Sequence, residues 1–191
     1  MKKFLFIFLI SFQLMNAQDT IKSKLANKKN ELRIDLLTLI SSSKINLTYE
    51  RFLTNKISIG LTSNYANSKK VNDDFDNGFR NTFPKYEIAP FVRYNFTNNI
   101  DHFYFIEIFT SANGGDYRET IRMVDQNNIG YYTIQKTKYA DLAIGASMGY
   151  KMYFKQKFGV ELLVGFGRNL INREKSPDIL SRVGLSFGYR F

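Results

Sequence analysis

SRVGLSFGYRF, residues Ser181 to Phe191, ends the sequence and decides how the rest is read. Val183, Leu185, Phe187, Tyr189 and Phe191 share one face, while Arg182, Gly184, Ser186, Gly188 and Arg190 share the other. A strict period of two is that of a strand, whose successive side chains point to opposite sides. The composition of the second face is what informs. A soluble strand hides its apolar side in a core. Here the polar side is small, and glycine, serine and arginine suit the narrow interior of a barrel whose apolar side meets lipid.

Seven earlier segments repeat the pattern. Glu31 to Ile40 sets Leu32, Ile34, Leu36 and Ile40 against Arg33 and Asp35. Lys44 to Leu53 sets Ile45, Leu47 and Tyr49 against Asn46, Thr48 and Glu50. Lys56 to Tyr65 alternates most cleanly, and Lys85 to Phe96 carries Pro90 on its outward side, where the missing ladder donor predicts a bulge or break. Phe103 to Ala112 points Glu107 and Ser111 inward together with Phe105 and Phe109. Tyr139 to Phe154 and Phe158 to Arg168 complete the set, with Asp141, Lys151 and Glu161 on their inner sides. Each segment has roughly the 9–11 residues of a tilted membrane strand. The reading is all-β: an eight-stranded antiparallel up-and-down transmembrane β-barrel over residues 31–191.

What precedes the barrel fits export. Residues 1–17 carry Lys2 and Lys3, an apolar run from Phe4 to Ile10, and Asn16-Ala17 before Gln18, the pattern of a signal peptide. The run is shorter than the roughly 20 apolar residues a spanning helix requires. Residues 18–30, polar and lysine-rich, form a periplasmic lead-in. With both barrel termini periplasmic, the inner turns are Leu53–Lys56, Thr97–His102 and Lys155–Lys157. The outer connections are Ser41–Ser43, Ala66–Pro84, Asn113–Lys138 and Asn169–Leu180, three of them long. Short inner turns alternating with long outer loops are the asymmetry of outer-membrane barrels.

Composition narrows the classes. The mean hydropathy of −0.28 is too polar for a bundle of membrane helices, and 16% aromatic content suits interfacial girdles. No cysteine is present, which excludes disulfides, thiolate catalysis and lipoprotein anchoring. The net charge of +10 is of the kind seen in nucleic-acid binders, but it is spread through loops, turns and alternate strand positions with no block, and lipopolysaccharide phosphates are an equally good counter-charge; no nucleic-acid partner is expected.

The chain resembles the small eight-stranded outer-membrane barrels, the OmpA transmembrane domain and OmpX-like proteins, and in particular the short barrels of Bacteroidetes-type bacteria. The likeness is carried by Ala17-Gln18, by Tyr49-Glu50-Arg51, and by the closing Gly188-Tyr189-Arg190-Phe191. It implies an outer-membrane location after Sec export, a monomer, and a terminal Phe191 that serves as assembly signal for the barrel-assembly machinery and as barrel seal. About activity it implies little.

Charges on the inner faces are the main candidates for a site. They are Arg33, Asp35, Glu50, Glu87, Arg93, Glu107, Asp141, Lys151, Glu161, Arg182 and Arg190. An eight-stranded barrel is just filled by side chains, so these charges must pair, and a plugged lumen is expected in place of a channel. Lys69, Lys70, Lys136, Lys138, Arg168 and Arg173 fall near the outer rim and are candidates for lipopolysaccharide contact. The acidic stretch from Asn72 to Gly78 lacks the glycine and glutamate of a calcium loop, and is expected to be a turn with no metal. No cofactor is expected. His102, the sole histidine, falls in an inner turn, far from the rim where a lipid A-modifying enzyme would need a base. The function expected is structural or surface-interactive. A narrow pore for small solutes and a lipid A-modifying enzyme are the alternatives.

Overall fold

The computed structural model describes residues 24–191 apart from 43, 67 and 127, so the expected signal peptide lies outside the described residues. Eight strands follow one another as β1 (Asn30–Asp35), β2 (Lys44–Phe52), β3 (Ile57–Ala66), β4 (Thr82–Asn95), β5 (His102–Val124), β6 (Gly130–Phe154), β7 (Phe158–Asn169) and β8 (Ile179–Arg190). Each pairs antiparallel with its chain neighbours, and β8 returns to β1 to form a closed barrel. At the seam Leu32 lies opposite Tyr189 and Ile34 opposite Phe187. The last residue takes part: Phe191 N–H donates to the Asn30 carbonyl at 2.7 Å and Asn30 N–H to the Phe191 carbonyl at 3.0 Å. Closure satisfies the edge groups that an open sheet would leave bare in lipid.

The wall is inverted relative to a soluble protein. On β4, Ala89, Phe91, Arg93 and Asn95 are buried while Ile88, Val92 and Tyr94 are exposed. The same outward apolar row continues through Leu47, Ile59, Ile108, Leu142, Leu162 and Val183. A continuous apolar exterior around a polar interior is the surface of a membrane-spanning barrel. Aromatic rings gather at the short-turn end. Tyr104 and Tyr150 are 4.8 Å apart, and Phe158, Tyr189 and Phe191 follow one another at 5.6 and 6.2 Å. These belong to a girdle of the kind that sits at headgroup level.

Inward phenylalanines are explained by glycines on the adjoining strands. A Cβ at Gly60 would run into the Phe91 ring, one at Gly145 into Phe109, and one at Gly149 into Phe105. Each ring therefore lies flat over a position that no other residue could occupy, which lets three large side chains share a narrow lumen.

Several boundaries differ from those expected. The first strand stops at Asp35, and Leu36–Ser42 is a helix, α1, so the connection is longer than Ser41–Ser43. Asp35 causes the switch, its Oδ1 accepting from Leu37 N–H at 2.9 Å and Thr38 N–H at 3.2 Å as a helix N-cap. The acidic stretch expected to be a turn is a second helix, α2 (Lys69–Asp76), capped by Ser68. Residues 113–138 are not a loop. β5 and β6 run on as a hairpin to Val124 opposite Gly130, turning at Asp125, whose Oδ1 accepts from Ile129 N–H at 2.8 Å. At Pro90 the register holds and the pairing with Leu61 continues, but the ladder to β5 breaks over Ala89 and Pro90, as the missing donor predicts; the register shift lies between Pro84 and Tyr86. There Gly115 lets the Phe83 carbonyl approach more closely than a Cβ would permit.

The lead-in is part of the fold. A 3-10 turn over Lys24–Asn27 tucks Leu25 under the short-turn end, where it is fully buried with Phe52, Ile100, Phe103, Phe105 and Tyr153. Arg190 Nε donates to the Lys28 carbonyl at 2.8 Å and Phe52 N–H to the Lys29 carbonyl at 2.8 Å. Leu25→Ala is expected to lower the unfolding free energy by about 2–5 kcal/mol, the range for deleting a buried leucine. Leu53→Ala, at an exposed turn, should change it little. Urea titration of the detergent-folded barrel measures both.

Candidate functional site: the charged lumen

Above that apolar floor lies the feature that defines the interior. Lys151 Nζ sits 3.0 Å from Glu31 Oε1, 2.7 Å from Glu50 Oε2 and 2.9 Å from Glu161 Oε2. The ammonium donates hydrogen bonds to Glu31 and Glu50 and pairs by charge with Glu161. Arg33 Nη1 contacts the same three glutamates, at 3.0 Å from Glu31, 3.4 Å from Glu161 and closest to Glu50. Arg93 extends the cluster upward. Its Nη1 lies 3.1 Å from Glu50 and 2.7 Å from Glu161, and its Nη2 lies 2.7 Å from Glu107. Arg182 Nη1 completes the chain at 3.0 Å from Glu107 Oε1.

Strand directions account for the convergence. Arg93 stands opposite Glu107 on β4 and β5, Lys151 opposite Glu161 on β6 and β7, and Glu31 opposite Glu50 on β1 and β2. Two cross-strand ion pairs and one carboxylate pair thus project into one lumen. The two glutamates facing each other would repel, and Arg33, two residues from Glu31 on β1, together with Lys151, reaching across from β6, removes that repulsion. Glu31, Glu50, Glu107 and Glu161 against Arg33, Arg93, Lys151 and Arg182 is four against four. All but Arg182 are essentially inaccessible. Unpaired, any one of these buried charges would cost several kcal/mol.

Hydroxyls and rings fill the remaining valences. Ser58 Oγ donates to Glu50 and the Tyr153 hydroxyl to Glu31. The Arg93 guanidinium lies 3.7 Å from the Phe105 ring centroid, Arg182 4.4 Å from Phe109, and Arg190 3.6 Å from Phe52. The carboxylates of Glu31, Glu50 and Glu161 come within 4.8 Å of one another, a spacing a metal ion could use. Lys151 already stands at their centre.

Four of the expected charges do other work outside the ion cluster. Asp35 caps α1 and accepts from Leu185 N–H at 3.3 Å. Glu87 accepts from Asn64 Nδ2 at 2.7 Å. Arg190 fixes the lead-in. Asp141 holds the β7–β8 connection: its carboxylate accepts from the backbone of Leu142, Leu170, Ile171 and Asn172 and from Ser176 Oγ at 2.5 Å. Conversely, Glu31 and Tyr153 were missed, though Glu31 shares the two-residue phase of Arg33 and Asp35, and Tyr153 that of Lys151.

The rim candidates are divided. Lys136 is engaged, its Nζ donating to Asp76 Oδ1 at 2.5 Å. That hydrogen bond and charge hold the Asp76 carboxyl below its usual range. Arg118 Nη1 donates to the Asp76 carbonyl at 2.8 Å, so α2 is tied to the β5–β6 hairpin at its C-terminal end. Lys69, Lys138, Arg168 and Arg173 are exposed. The Lys70 side chain lies outside the described residues. His102 opens β5 at the short-turn end, exposed, with Nε2 3.3 Å from Asn99 Nδ2.

A closed wall, an apolar exterior and an interior occupied by its own charges define the class of small eight-stranded outer-membrane barrels. The family described as "Protein of unknown function (DUF3575)" matches residues 3–178, and the chain belongs to it. Among solved structures the chain is similar to the N-terminal beta-barrel domain of Pseudomonas aeruginosa OprF, at 13% identity, 86% of this chain, 98% of that one and a TM-score of 0.50. It is also similar to Ail, the attachment invasion locus protein of Yersinia pestis (8% identity, 86% and 99%, TM-score 0.49). Neisserial surface protein A follows at 13% identity, 85% and 92%, and TM-score 0.46. At such identities the OprF likeness speaks to fold alone. No curated protein matches the sequence.

Removing one partner from a buried cluster strands the others. Lys151→Met is expected to destabilise the barrel by about 3–5 kcal/mol, because three carboxylates lose their shared ammonium. Exposed Lys155→Met at the neighbouring turn should cost less than about 0.5 kcal/mol. Urea unfolding followed by tyrosine fluorescence separates the two.

Proposed function

We propose that the protein is an exported outer-membrane barrel with a structural or surface-interaction role, and that it neither conducts solutes nor catalyses a reaction. The observation that carries the reading is the neutral, fully paired ion cluster across the lumen. A path for ions would have to separate Lys151, Arg33 and Arg93 from the carboxylates they share, and burial makes that separation costly. The aromatic girdle and the short turns mark the periplasmic side, and α1, α2, the β5–β6 hairpin and the 170–178 connection mark the outer side. His102 stands at the periplasmic side under this orientation, away from lipid A.

Partners follow from the two ends. The C-terminal strand, finishing on Phe191, is the segment offered to the barrel-assembly machinery. At the outer rim Lys69, Lys138, Arg168 and Arg173 are placed to meet lipopolysaccharide phosphates, with Lys136 held back by Asp76. In a planar bilayer the purified protein is expected to show no steady nanosiemens-scale steps, and such steps would sink the plug. In detergent, lipopolysaccharide is expected to raise the melting temperature more than a neutral lipid does, and equal shifts would remove the phosphate contact.

A further inference from the structure

A cavity of about 380 Å³ opens at the long-loop end, above a smaller one of about 100 Å³. Lys44, Asn64, Glu87 and Ser181 line both, so the two adjoin. The lower one ends on Arg93, Glu107, Glu161 and Arg182, members of the ion cluster. The arrangement is a blind well, and the volume of its mouth is that of a small-ligand pocket, about 300–1,000 Å³.

Its wall is polar in an unfinished way. Among the described residues, the hydroxyl of Tyr139, a residue only 3% exposed, has no hydrogen-bond partner, and neither has Glu87 Oε1 or Asn64 Oδ1. All three residues line the mouth. Buried polar atoms are ordinarily satisfied, so three orphans around one cavity mark a place for a ligand's own polar groups. Two of them only accept, and the third both donates and accepts.

Charge and shape narrow the ligand. Lys85 pairs with Asp116, which leaves Lys44 and Arg80 facing Glu87 and one positive charge over. The ligand is therefore an anion. Its donors are hydroxyls and not an ammonium, because Lys44 lines the same two cavities as Glu87 and already supplies a cation there. Phe79, 81% exposed, and Tyr86, 48% exposed, offer aromatic surface at the same mouth. From these features we infer that the well binds a small polyhydroxylated acid, a sugar carboxylate or sugar phosphate. The hydroxyls bond Glu87, Asn64 and Tyr139, the acidic group meets Lys44 and Arg80, and the apolar face of the sugar ring lies on Phe79 or Tyr86. Access from outside the cell rests on the orientation proposed above, while the binding itself does not.

The test uses the full mature protein folded in detergent, with folding verified by its gel shift on boiling. Galacturonate, glucose 6-phosphate, neutral glucose and alanine are titrated separately by calorimetry. One-to-one binding of either acid, at least about tenfold tighter than glucose, is expected, a difference of about 1.4 kcal/mol. Lys44→Gln with Arg80→Gln should weaken acid binding about tenfold or more, and Tyr139→Phe several-fold, with the gel shift retained. Should the double variant fail to fold, Arg80→Gln alone, in an exposed loop, carries the comparison. Equal binding of glucose and the acids, equal binding of alanine, or undiminished binding by the variants overturns the inference. So does failure of both acids to saturate at about 10 mM, where even a millimolar site would be filled. Lipopolysaccharide added to the galacturonate complex then identifies the source: displacement assigns a lipid-borne sugar, and retention a free one. A conducting barrel that still binds the acids would refute the plug and leave the well standing.

Discussion

One lysine nitrogen holds the interior together. Lys151 Nζ stands among three buried carboxylates, each at hydrogen-bond distance, in a space too narrow for water to do the same work. A barrel of eight strands cannot have an apolar inside and outside at once without losing the alternation that tells each strand which way to face. Its inner face is therefore polar, its lumen is small, and the charges there have to neutralise one another. Arg33 and Arg93 share the same glutamates as Lys151, so no pair in the cluster is independent. Exchanging Lys151, Arg33 or Arg93 for a neutral residue would unbalance three glutamates at once.

The aromatic rings make this crowding workable. Phe91, Phe105 and Phe109 take the space of missing side chains at Gly60, Gly149 and Gly145. They also give Arg93 and Arg182 flat surfaces to rest on, so the guanidinium planes are fixed from one side by rings and from the other by carboxylates. Ion pairing and shape complementarity are here one arrangement.

Much of this was legible in the sequence. The period of two located every strand, because a wall with lipid on one side and a filled lumen on the other tolerates no lapse in phase. Arg33, Glu50, Arg93, Glu107, Lys151, Glu161 and Arg182 could be assigned inward on phase alone. What phase cannot supply is height along the barrel axis, and that decided which charges meet. Asp35, Glu87 and Asp141 share the inner phase but lie near the loop end, where backbone donors and amides were closer than any cation. Helix α1 escaped notice because Leu36 and Ile40 continue the strand pattern by accident, while the decisive contact is the Asp35 cap. The β5–β6 hairpin was hidden by Gly114, Gly115 and a run of Asn and Asp, residues typical of loops. Toward its tip the hairpin is exposed on both faces, so the periodic signal fades although the ladder continues.

The seam between β1 and β8 is built from five paired positions, and β1 has only five on its other side as well. Every other strand is held by at least one ladder of nine or more. A wall of uneven strength yields at its thinnest joint. With the fewest ladder hydrogen bonds to lose, this strand is where sideways opening of the cylinder would cost least. Two backbone hydrogen bonds between Phe191 and Asn30 lengthen this short joint by one more rung.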